Sequence, residues 1–174
     1  MKRYLMFAAV PLLLVVVVAV ANGIRHFRAS LAGDQEVPVV STVASGDFKA
    51  RINNDETQIT YELSYSDLEG DVQQAHIHVG QKGVNGGISV FLCSNLGNGP
   101  AGTQPCPPSP AKIEGTLSAV NVIGPIPQGI AAGEFAELIE AIRAGNTYAN
   151  VHSSKFPGGE VRSQIGKRRS EHDH

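Results

Sequence analysis

After the first twenty or so positions, apolar and polar residues alternate with a period of two along most of the chain. Across residues 57–65, Ile59, Tyr61, Leu63 and Tyr65 fall on one side while Thr60, Glu62 and Ser64 fall on the other. That pattern marks a strand with one buried face. Similar runs occupy residues 27–31, 46–52, 72–79, 88–92, 113–117, 148–152 and 160–165. Asn53-Asn54-Asp55 and the stretch from Gly83 to Gly87 read as hairpin turns. Only residues 134–144 carry helical spacing, with Phe135, Leu138, Ile139 and Ile142 on one face and Gly145 as the stop. About eight short strands and one connecting helix predict an all-β fold, an antiparallel Greek-key β-sandwich or flattened barrel.

The first residues break this pattern. Lys2 and Arg3 precede an apolar run from Tyr4 to Val20, and Ala19-Val20-Ala21 precedes Asn22. Basic start, apolar middle and small-residue cleavage site form a secretory signal. An uncleaved membrane anchor is the alternative, since the run approaches the roughly 20 apolar residues that span a bilayer. Both readings deliver the rest of the chain across a membrane, to a secreted, periplasmic or cell-surface location. The expected organisation is a signal peptide over residues 1–21, one β domain over 22–166 and a charged tail over 167–174. Nineteen Gly and ten Pro supply turns, and a formal charge of −2 gives no electrostatic reason to expect nucleic acid. Lys167-Arg168-Arg169 is followed by Glu171 and Asp173, which makes the end of the chain a solvated tail.

Cys93 and Cys106 are the two cysteines, and a Gly/Pro-rich stretch separates them. In an exported protein they read most simply as a disulfide closing a surface loop. A thiolate metal site or two free thiols are the alternatives, and neither suits an oxidising compartment.

Ala75-His76-Ile77-His78-Val79-Gly80 carries the most chemical information. A strand turns alternate side chains to one face, so His76 and His78 stand side by side, about 7 Å apart at Cβ, while Ala75, Ile77 and Val79 face the core. Paired imidazoles can converge on one ion, and histidine is a preferred ligand of zinc and copper. A third histidine, His152, shares a polar strand face with Tyr148 and Asn150, opposite Ala149 and Val151. In the last strand Glu160, Arg162 and Gln164 alternate with Val161, Ser163 and Ile165. If these strands pair, the polar groups share one surface. The competing reading is an exposed polar face with scattered histidines. Glu160 and Arg162 are candidates to support the histidines, Arg162 by orienting an anion beside them, against the alternative of a surface ion pair. Because neutral imidazole is the ligating form, metal affinity is expected to fall as pH drops through about 6.5.

Other constellations carry no mechanism. Ser41, Ser45, Ser153 and Ser154 lack a nucleophile-elbow context, and the glycines from 83 to 87 lack the Lys of a phosphate-cradling loop. His172 and His174 sit in the charged tail.

At these residues the chain resembles a CHRD domain, the module named after chordin and found singly in microbial exported proteins. The resemblance runs from Phe27-Arg-Ala-Ser-Leu-Ala-Gly-Asp-Gln-Glu-Val-Pro38, with its Q-E-V-P element, through residues 75–80 and Asn85-Gly86. It closes with residues 148–152 and 157–162. Val39 and Ser163 depart from the family's usual Pro and Gly. The resemblance implies a β-sandwich or barrel with a distant likeness to copper–zinc superoxide dismutase, whose copper site also begins from an H-x-H pair. His76 and His78 resemble that pair and His152 can supply a third ligand, but no bridging histidine or second His/Asp cluster is evident. The expected function is an exported binding module holding copper or zinc through these three histidines. A dismutase-like redox enzyme and a metal-free module for an extracellular protein partner are the alternatives. Membrane contact is expected only if the N-terminal segment is retained.

Overall fold

A computed structural model describes residues 25–167. The expected signal peptide over residues 1–21 and the expected charged tail beyond Lys167 lie outside the described residues. The strands are β1 (His26–Ala32), β2 (Ser45–Ile52), β3 (Ile59–Ser66), β4 (Val72–Val79), β5 (Gly87–Ser94), β6 (Ala111–Leu117), β7 (Thr147–Ser153), β8 (Val161–Gln164) and the two-residue β9 (Gly166–Lys167). Among the described residues one α-helix, α1 (Phe135–Arg143), joins β6 to β7. Among the described residues no helix is long and apolar enough to cross a membrane.

All pairings are antiparallel and form one sheet in the order β5-β4-β7-β8-β1-β2-β3-β6, with β9 added to β1. The expected all-β architecture is therefore present as a nearly closed sheet. Its registers keep one apolar row inside: Phe27, Leu31, Phe48, Ile52, Ile59, Leu63, Ile77, Val151 and Val161 are all buried in a single core. The β2–β3 hairpin turns where Asn53 predicts it, because Asn53 Oδ1 accepts hydrogen bonds from the backbone N–H groups of Thr57 (2.9 Å) and Gln58 (3.0 Å). Helix α1 buries Phe135, Leu138, Ile139 and Ile142, and Gly145 ends it with φ +73°.

The end strands β5 and β6 face each other across a seam. One side-chain amide bridges it: Gln104 Nε2 donates to Leu92 O of β5 (3.3 Å), to Glu114 O of β6 (3.1 Å) and to Tyr61 Oη (2.7 Å). Gln104 belongs to the loop that the Cys93–Cys106 disulfide closes, with an S–S distance of 2.01 Å.

The two halves of the sheet differ on their outer faces. On β2, β3 and β6 that face is solvated, and Glu62 pairs with Lys49 (3.0 Å) and Lys112 (2.6 Å). On β4, β7 and β8 it is covered, and all seven residues of β7 are buried. The competing reading of an exposed polar face therefore fails here. Chain segments around residues 33–44, 80–87 and 154–159 lie over it, tied down by Asn85 Nδ2 to Val37 O (2.7 Å) and Thr42 Oγ1 to Glu160 Oε1 (2.8 Å).

Candidate metal centre

The covered face is built from cross-strand rows. His76 of β4 lies beside Phe91 of β5 and Asn150 of β7, and Asn150 lies beside Arg162 of β8. His78 lies beside Tyr148, and His152 beside Gln74. Pairing of β4 with β7 thus brings together the three histidines, with His76 0%, His78 8% and His152 6% exposed.

Backbone carbonyls set two of the three rings. His78 Nδ1 lies 2.9 Å from Gly86 O and His152 Nδ1 lies 2.9 Å from Pro157 O. A carbonyl only accepts, so each Nδ1 carries the proton and each Nε2 presents a lone pair. His152 Nε2 stands 3.2 Å from His76 Nδ1, and one potential ligand atom from each histidine falls within 4.8 Å of the others. The Nε2 atoms of His76 and His78 are buried without a hydrogen-bond partner, as is Asn150 Oδ1. Such atoms are costly unless a missing ligand satisfies them. The donor set fits a borderline ion such as zinc or copper.

Burial also keeps the imidazoles neutral. It drives His76 down to about 2, with His152 and His78 adding repulsion. Burial likewise lowers His78 to about 4 against the opposing hydrogen bond to Gly86 O, and it lowers His152 against the bond to Pro157 O. Proton competition for the site consequently lies below the expected value near 6.5, because the folded protein already excludes the imidazolium form.

Glu160 and Arg162 do not form the surface ion pair that is the alternative to a supporting role. Both are buried, at 0% and 2% exposed. Glu160 Oε1 accepts from Thr42 Oγ1 and from the Glu69 backbone N–H (2.8 Å each), so it holds covering loops together. Arg162 reaches Val84 O (2.7 Å) and Asn85 Oδ1 (2.9 Å) from beneath the β4–β5 hairpin. Glu36, the acidic residue of the Q-E-V-P element, is also buried. Burial raises its carboxyl to about 7 despite the nearby Arg162 charge and a bond from the Val37 N–H. Its part in this face, like those of the carbonyls of Gly86 and Pro157, has no periodic signal in the sequence, whereas alternation already places Tyr148 beside Asn150 and His152. The Q-E-V-P element itself is the one pointer to Glu36.

A protein-family model for the CHRD domain matches residues 27–165. No curated protein and no solved structure matches the chain.

Proposed function

The chain belongs to the CHRD-domain family, and from that premise we propose that it is an exported binding module holding one copper or zinc ion through His76, His78 and His152. The observation that carries this reading is the convergence of three neutral, buried imidazoles, two of them with Nε2 freed by a backbone carbonyl at Nδ1. Two nitrogens bound to one tetrahedral zinc ion at about 2.0–2.1 Å would stand about 3.3 Å apart. His76 Nδ1 and His152 Nε2 are 3.2 Å apart, a hydrogen bond in the metal-free protein that an ion replaces once the His76 proton moves to its unpartnered Nε2.

Three imidazoles with no carboxylate or thiolate among them suit zinc and copper better than magnesium or calcium. A copper or zinc ion held this way supplies a Lewis-acidic centre with a coordination position left for another ligand. The residues of the chain bind and orient it, and the covering loops keep bulk water away. Export rests on Lys2, Arg3 and the apolar run ending at Ala21.

Metal content of the untagged, full-length protein, followed by calorimetric titration with copper and zinc, tests the proposal. One equivalent of ion per chain is expected, and absence of binding by both metals overturns it. A superoxide-consumption assay on the loaded protein separates a binding module from a redox enzyme.

A further inference from the structure

Arg162 heads the fully buried side chains by size. A guanidinium stays charged at any pH the protein meets, so burying one is expensive unless specific contacts compensate. No carboxylate lies within ion-pair distance of it among the described residues. Its contacts are of another kind. Nη2 donates to Val84 O (2.7 Å), Nη1 donates to Asn85 Oδ1 (2.9 Å), and Cζ sits 3.3 Å over the centre of the Tyr148 ring.

Those contacts lead to one histidine. Tyr148 of β7 stands between Arg162 of β8 and His78 of β4, and its ring stacks on His78 at 4.7 Å with an interplanar angle of 5°. Tyr148 Oη accepts from the Gly86 N–H (3.2 Å), and Gly86 O is the acceptor for His78 Nδ1–H (2.9 Å). Val84, Asn85 and Gly86 form the leg of the β4–β5 loop that returns from the turn at Lys82-Gly83 to β5. A surface loop is ordinarily the most mobile part of such a unit. Here it must hold one carbonyl oxygen in place over an imidazole.

Resting on the three-histidine reading, we propose that Arg162 is a positioning residue for His78. It grips Val84 and Asn85 and presses Tyr148 onto the imidazole, so that Gly86 O captures the Nδ1 proton and Nε2 remains the free lone pair. The role needs the planar fork. A lysine keeps the charge but cannot make both bonds and lie flat on the tyrosine.

Nitrogen-15 NMR of histidine-labelled, metal-free protein reads the outcome directly. Wild type should show His78 with its proton on Nδ1 alone. In Arg162→Met and Arg162→Lys, His78 should populate both tautomers, whereas His152, held by Pro157 O, should keep one. Zinc affinity should fall about 10–100-fold in both variants, the usual loss when a group orienting a ligand is removed. An unchanged His78 signature in the variants overturns the proposal. Asn85→Ala, at an exposed position, tests the same grip should the buried substitutions prevent folding. If wild type binds no zinc, the metal reading fails, while the tautomer measurement still decides the role of Arg162.

Discussion

A methyl group at Gly86 would lie 1.7 Å from the carbonyl oxygen of Val79. The returning leg of the hairpin loop passes so close to the end of β4 that only glycine fits. Gly86→Ala is expected to cost about 1–3 kcal/mol, as overpacking does, and to move the carbonyl that orients His78. Urea unfolding together with zinc titration should show both losses. A variant of wild-type stability and affinity would mean that the loop has room to shift.

Ligand substitutions should divide the six histidines into two groups. Replacing His76, His78 or His152 by Ala should lower copper or zinc affinity by more than the about 10–100-fold expected for losing a supporting hydrogen bond. Replacing His26, His172 or His174 should leave it unchanged. Calorimetric titration of all six variants checks the division, and equal affinities throughout would contradict a site at this position.

Acid should destabilise the metal-free protein. The folded values of His76 and His78 lie below the ordinary 6.5. Below 6.5 the unfolded chain therefore binds more protons, and stability present above that pH is lost as pH falls toward 4. Glu36 acts in the opposite sense. Its folded value near 7 exceeds the ordinary 4.5, so its contribution is complete below 4.5 and is lost as pH rises toward 7. Three lowered histidines outweigh one raised carboxyl, and the net change on acidification is a loss. Glu36→Gln should raise stability at pH 8 by on the order of 2 kcal/mol and make the acid loss steeper. Denaturant melts between pH 4 and 8 measure both effects, and a flat profile would contradict the buried neutral state.

The seam gives a further expectation. Gln104→Ala removes the amide that joins Leu92 O to Glu114 O, and because Leu92 O keeps its bond from Tyr61 Oη (2.7 Å) the cost is that of ordinary hydrogen bonds, about 0.5–1.5 kcal/mol. Replacing both Cys93 and Cys106 by Ser should cost about 3 kcal/mol on the chain-entropy account. Because the disulfide closes the loop that carries Gln104, the two losses should overlap. A double-mutant cycle in urea checks this, and simple additivity would show that the bridge and the amide act independently.

Much of the fold is legible in the chain because period-two patterning reports directly which side chains face the core. Ile59, Tyr61, Leu63 and Tyr65 are buried where alternation puts them, and His76 and His78 share a face for the same reason. Covering of the opposite face is not legible. It depends on loops such as residues 33–44, whose sequence has no period, and on carbonyls at Gly86 and Pro157 that side-chain identity does not reveal. For Glu160 and Arg162 a surface pair consequently stands open beside the supporting role, since a charged residue on an alternating strand is ordinarily solvated. The contacts that bury them come from Thr42, Glu69, Val84 and Asn85, far away along the chain.

The histidines project from the outside of the sheet, beneath loops, while the apolar core closes on the other side of the same strands. Core formation therefore makes no demand on an ion, and the unpartnered Nε2 atoms of His76 and His78 leave the metal-free protein folded but chemically unsatisfied. Assembly and loading become separate events in time. On the proposed reading, a chain delivered across a membrane finishes folding first and then draws its ion from the medium it has reached, so that the metal records where folding ended and not where synthesis began.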